Sequence, residues 1–222
     1  MMEKALWERW VSDWRWIMTT AQKRNWYIRP IEIKPPVDIT EIILLEENIG
    51  IRYPQEFKYV LTNYSSGVYL KWCIEGEEPK NELKEVFSGG GRGCLWDFSF
   101  LRKDFDNYTG WVTKCFSNPE DSYDKIWHNK VPFIDVANGD VIAFDTSEST
   151  IESPIIYLSH DGSDFHGKRL AKNFIDFITK WSNLGCVGTE DWQFEPFYDH
   201  EKMELMDAGP QVDRWKDWLN NK

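Results

Sequence analysis

Asn138-Gly139 lies between two apolar runs, at 131–137 and 140–145. An Asn-Gly pair takes up the positive φ angles that a two-residue hairpin turn demands, so the flanking runs should pair antiparallel. Further strands are expected at 68–74 and 155–159, where short β-rich segments stand between turn residues. Helical spacing surrounds them. Asp38 or Thr40 can cap a helix carrying Ile39, Ile42, Ile43 and Leu45 that stops near Gly50. Pro54 suits the first turn of a second helix, with Phe57, Val60, Leu61 and Tyr64 on one face. A closing helix begins near Leu170 or Asn173, carries Phe174, Phe177, Ile178 and Trp181, and ends near Gly185. This order predicts an α+β fold: two helices, an antiparallel sheet and a covering C-terminal helix.

Both ends of the chain are rich in tryptophan, which numbers 13 in 222 residues. Residues 3–20 read as an amphipathic helix with Leu6, Trp7, Trp10, Val11, Trp14, Ile17 and Met18 at three- and four-residue steps. Such a stripe has to be covered, and packing within the chain is the expected cover. Residues 26–33 look extended, and Pro35-Pro36 marks a boundary. The chain thus divides into an N-terminal extension at 1–37, a main domain at 38–184 and an aromatic extension at 185–222 packed on it. The last part holds WQFEPFY and a helix with Val212, Trp215, Trp218 and Leu219. Residues 95–128 suggest a short strand, a broken helix and a capped turn or short helix.

Several chemistries are disfavoured. The glycine run SGGGRGC at 88–94 lacks the Lys-Ser/Thr ending and the strand-to-helix setting of a phosphate loop. His160 and His166 bracket HDGSDFH, but their spacing matches neither HExxH nor a calcium loop, so no metal is expected. Ser159-His160-Asp161 holds the residue types of a hydrolase triad. Adjacent strand side chains diverge, however, and no nucleophile elbow is present, so no catalytic residue is assigned. Cys73, Cys94, Cys115 and Cys186 are scattered and are expected as free thiols. No apolar run is long enough to span a bilayer, and the start MMEKALWERW lacks the pattern of an export signal, which points to the cytoplasm.

Charge is unevenly spread. The net value is −11; residues 1–34 carry seven basic and four acidic side chains, +3, leaving −14 for the remainder. Residues 116–165 hold ten acids against Lys125 and Lys130, or −8. That field repels phosphate backbones and attracts basic proteins, so direct nucleic-acid binding is disfavoured.

Four segments in this order resemble the SMI1/KNR4 family of the SUKH superfamily. They are LLEENIGIRYPQEFKYVLTNYSSGVYL at 44–70, VPFIDVANGDVIAFD at 131–145, PIIYLSHDG ending at 162 and LAKNFIDFITKW at 170–181. The resemblance covers about 38–184. It implies an immunity-type protein that binds and neutralises a cognate bacterial toxin, with a nuclease as one class of target, without turnover or cofactor. The alternative is a regulatory scaffold. The acidic field independently suits a toxin with a basic surface. Candidate binding residues are Asp145, Glu148, Glu152, Asp161 and Asp164, the last two in a loop expected at the same sheet end as the first. Trp96 is a candidate anchor, with core packing as its alternative role, and Asp140 is expected to cap the hairpin turn.

Overall fold

A computed structural model describes residues 2–76, 93–147 and 153–221. Glu148, Glu152 and the glycines at 89–91 lie outside the described residues, as does the side chain of Cys94. The hairpin forms, but not through a two-residue turn. Gly139 N–H donates to the Val136 carbonyl at 2.9 Å and Val136 N–H to the Asp140 carbonyl at 2.8 Å, closing a three-residue loop in which Gly139 alone takes a positive φ. Strand β4 (Lys130–Asp135) pairs antiparallel with β5 (Val141–Asp145), Val131 opposite Phe144 and Asp135 opposite Val141. Strands β6 (Ile155–Leu158) and β7 (Arg169–Ala171) complete a four-stranded sheet in the order β4-β5-β6-β7.

The middle of this sheet is buried on both faces, which explains its almost unbroken apolar runs. Ile142, Phe144, Ile155 and Tyr157 face the main core, while Val141, Ala143, Ile156 and Leu158 face a second cluster with Tyr108, Phe116 and Trp127. That second face is covered by α4 (Leu101–Lys114) and the short α5 (Asp124–Trp127). The expected break in α4 is absent: the helix runs through Gly110 without interruption. One helical glycine costs about 1 kcal/mol, and the packed face of Leu101 and Tyr108 offsets it.

Helix boundaries follow local chemistry. In α2 (Ile39–Ile49), the Asp38 carboxylate accepts from Thr40 N–H at 2.8 Å, and Gly50 closes the helix at φ +72°. Helix α3 (Gln55–Asn63) starts at Pro54. In α6 (Phe174–Asn183), the Asn173 side chain accepts from Asp176 N–H at 2.9 Å. The apolar side of α6 sets Phe174 against Phe57, with ring centroids 4.7 Å apart.

A separate three-stranded sheet has the order β1-β2-β3, from β1 (Tyr27–Ile33), β2 (Gly67–Cys73) and β3 (Cys94–Asp97). Helix α1 (Lys4–Lys23) buries Trp10, Trp14, Ile17 and Met18. Its indoles find partners on α6: Trp10 donates to Thr179 Oγ1 at 2.9 Å and Trp14 to Ser182 Oγ at 2.8 Å. After the small α7 (Asp191–Phe194) and the β8 (Tyr198–Asp199)–β9 (Glu204–Leu205) pair, α8 (Pro210–Asn220) returns to the N-terminal side. The Arg24 guanidinium lies 4.5 Å from the Trp26 ring and 4.1 Å from the Trp218 ring, and donates to the Trp218 carbonyl at 2.5 Å. A cation near a helix C-terminus is favoured by its dipole. Cys73, Cys115 and Cys186 are free thiols.

Replacing Trp14 by Ala should therefore lower stability by about 3–5 kcal/mol, the range for emptying an aromatic core site. Urea unfolding measures this; a loss under about 1 kcal/mol would show that α1 does not hold the core together.

Candidate functional site

The hairpin end of the four-stranded sheet is built around Asp140, which is 1% exposed. Its Oδ1 accepts from the His160 backbone N–H at 2.9 Å and from His160 Nδ1 at 2.7 Å. Its Oδ2 accepts from Asn138 Nδ2 at 2.7 Å and the Tyr157 hydroxyl at 2.5 Å. Four donors satisfy a buried carboxylate, removing the penalty of an unpaired charge. Asp140 thus does more than cap its own turn: it ties the hairpin to β6 and to the chain beyond. Burial, with the adjacent carboxylate adding to it, pushes the Tyr157 hydroxyl pKa up.

The connection after β6 is fixed by His166. Its Nδ1 accepts from Ser159 N–H at 3.0 Å and its Nε2 faces the Tyr123 carbonyl at 3.1 Å. That pattern specifies the neutral ring with its proton on Nε2. Tyr123 stacks on the imidazole at 3.9 Å, and its hydroxyl donates to the Ser159 carbonyl at 2.6 Å. The result is a braced loop that leaves Asp161 and Asp164 exposed. Asp161 accepts from Ser159 Oγ at 2.7 Å, which holds its carboxyl below the usual range.

Asp140, His160 and Asp161 bring three potential metal-ligand atoms within 4.8 Å of one another. The donor set fits a hydrogen-bond junction rather than a metal centre, because all four acceptor positions of Asp140 are engaged. Nor do the neighbours form a relay for nucleophilic chemistry. Ser159 Oγ donates to Asp161, while His160 turns Nδ1 toward Asp140.

Asp145 lies at the opposite end of the sheet. Strand β6 runs antiparallel to β5, so the connection before it and the loop after it emerge at different ends. Four strand steps separate Val141 from Asp145, about 13 Å at roughly 3.3 Å per residue. This corrects the expectation that Asp145 and the Asp161–Asp164 loop share one end. Asp145 pairs with Lys130 at 3.2 Å. Burial raises its carboxyl pKa, but hydrogen bonds from Ser147 and the Lys130 ammonium outweigh that and hold it below normal.

Trp96 is no surface anchor. It is 1% exposed, donates to the Ser65 carbonyl at 3.2 Å and meets the Trp14 and Phe174 rings at 6.0 and 5.5 Å. Its pairing opposite Val68, an inward position of β2, puts it in the core.

At the Asp145 end, an open cleft of about 820 Å³ separates the α2–α3 connection from β4 and β5. Glu47, Gly50 and Arg52 line one wall, and Asn129, Lys130 and Thr146 the other. Sequence reasoning missed the device that shapes it. Buried Glu46 accepts from Tyr53 N–H at 2.8 Å and Lys58 Nζ at 3.0 Å, with Arg52 3.5 Å away. That carboxylate folds the end of α2 back over the start of α3. Its only signal was an acid on the helix face of Ile42, Leu45 and Ile49, with a lysine twelve positions on.

The model of the SMI1 / KNR4 family (SUKH-1) matches residues 36–180. The chain belongs to that family. Comparison with curated proteins and with solved structures gives no match. The SMI1/KNR4 portion contains α2, α3, both ends of the four-stranded sheet and the cleft, whereas α1, β1 and α8 lie outside the match. Among the described residues, no helix is long and apolar enough to cross a membrane.

His166 gives this end of the SMI1/KNR4 domain a pH dependence. Burial lowers its pKa from 6.5, so at mildly acidic pH the unfolded chain binds a proton that the folded chain refuses. Its contribution is complete above pH 6.5 and is lost as pH falls below that value. The stability gap between wild type and His166→Phe should accordingly shrink from pH 7.5 to pH 5.5 in urea titrations. A gap independent of pH would contradict the assigned neutral tautomer.

Proposed function

We propose that this chain is an immunity-type protein that captures a cognate toxin with a basic surface and neutralises it in the cytoplasm by stoichiometric binding. The supporting observation is the coincidence of SMI1/KNR4 membership with acidity: net charge is −11 overall and −8 over 116–165. A nuclease suits such a field, because a surface that attracts phosphate also attracts carboxylates. Binding rather than turnover fits the polar clusters, whose Asp140, Ser159 and His160 are engaged with one another or with neighbouring residues.

The acidic groups serve encounter more than adhesion. Exposed carboxylates raise association rates over roughly a Debye length, about 10 Å at 0.1 M salt, and contribute little once a complex has closed. Because Asp161 and Asp164 stand at one sheet end and Asp145 at the other, the acids act as two sources of one field.

Co-expression with a toxin encoded beside this gene tests the reading: cells carrying both should survive, and cells carrying the toxin alone should not. Failure of the intact chain to bind or protect would favour the regulatory-scaffold alternative. Given a complex, Asp161→Lys/Asp164→Lys and Glu148→Lys/Glu152→Lys should each slow association at low salt by roughly threefold to tenfold, with dissociation unchanged. If both folded variants associate at the wild-type rate, electrostatic steering toward a basic target is wrong.

A further inference from the structure

Helix α2 is an apolar helix covered on one side only. Ile42 and Glu46 are buried, and Leu45 and Ile49 are half-buried beside them, whereas Ile39 is 46% exposed, Ile43 42% and Leu44 63%. At about 100° per residue, Ile43, Leu44 and Glu47 fall on the outward half of the helix, while Ile39, exposed in its first turn, lies at the edge of the buried side. Glu47 also lines the cleft, so the apolar strip runs directly into it. Side chains this apolar commonly mark a contact when they lie together on one element.

At the C-terminal end of the strip the exposed Glu47 carboxylate adds to the partial negative charge of the helix end. A helix leaves its last carbonyls without intrahelical partners and carries about half a negative charge there. No basic residue stands in the last turn of α2 to offset this. Of the cleft-wall cations, Lys130 pairs with Asp145 at 3.2 Å, and Arg52 lies 3.5 Å from Glu46, which it shares with Lys58 at 3.0 Å. Glu47 belongs to neither pair and is exposed.

We propose that the outward side of α2 and the adjoining cleft form the docking surface for a loop of a basic protein. That loop presents a lysine or arginine to the Glu47 end and apolar residues to Ile39, Ile43 and Leu44. The proposal rests on the neutralisation reading and specifies its contact face. Charge complementarity chooses the occupant: a second copy of this chain would bring its own net charge of −11 toward the same negative end. The apolar strip anchors the complex, and the helix end selects a cation.

The test uses the toxin shown to be neutralised in co-expression, with binding kinetics measured for the full chain. Ile43→Asp/Leu44→Asp should weaken binding by about 30-fold or more, mainly through faster dissociation, the behaviour of a contact centre. Glu47→Lys should weaken it by roughly tenfold, and it preserves the fold because a cation suits a helix C-terminus. Asp161→Lys/Asp164→Lys should leave dissociation unchanged. Wild-type dissociation by folded Ile43→Asp/Leu44→Asp and Glu47→Lys would overturn this surface while leaving neutralisation standing. Sedimentation showing a wild-type dimer that Ile43→Asp/Leu44→Asp dissolves would assign the strip to self-association and overturn it too. A wild-type chain that binds no toxin would overturn both the neutralisation reading and this surface.

Discussion

The aromatic seam around Trp96 is the constraint on which the rest of the fold depends. Its ring meets Trp7, Trp10 and Trp14 of α1 on one side and Phe174 of α6 on the other. Phe174 in turn contacts Phe57, Phe133 and Phe144, so one continuous ring network joins both sheets with α1, α3 and α6. Offset and edge-on aromatic pairs add about 0.5–1.5 kcal/mol each beyond the area they bury. The indole N–H groups of Trp10, Trp14 and Trp96 also find acceptors, which gives each of these rings a defined orientation. A core organised this way holds the sheet ends in fixed positions, and those ends carry the exposed acids and the cleft.

Legibility in the sequence followed the range of the interactions. Asn138-Gly139, Asp38, Gly50, Pro54 and Asn173 act within a few residues, and each set its turn or helix end where local chemistry predicted. Two-sided burial of the four-stranded sheet was not visible, because runs such as 141–144 look the same whether one or two faces are covered. Asp140 was legible as a turn residue but not as a junction, since its partners Tyr157 and His160 lie 17 and 20 positions away. Trp96 carried no mark separating a core ring from a surface anchor; its register opposite Val68 decided the matter. Asp145 and the Asp161–Asp164 loop were expected at one sheet end, yet strand direction sends them to opposite ends. The 95–128 stretch suggested a broken helix, yet α4 runs uninterrupted through Gly110, where tertiary packing overrides the local preference.

In the proposed capture, these features divide the labour of recognition. Charge spread over a wide surface sets how often a basic partner arrives, and a compact apolar contact sets how long it stays. Family membership supplies the expectation of capture. The rigid aromatic core allows an exposed helix face to remain presented without collapsing inward. The hydrogen-bonded junction at Asp140 and His166 stiffens the far end, so its carboxylates project from a fixed scaffold.

Capture without turnover has a direct signature in the stoichiometry of inhibition. Residual activity of the cognate toxin should be measured against increasing amounts of this chain, at toxin concentrations well above the dissociation constant. Binding predicts a linear fall that reaches its floor at one equivalent, with full activity recovered when the complex is denatured and the toxin refolded alone. Complete and lasting inactivation at a small fraction of an equivalent would show chemical modification of the toxin and contradict the account.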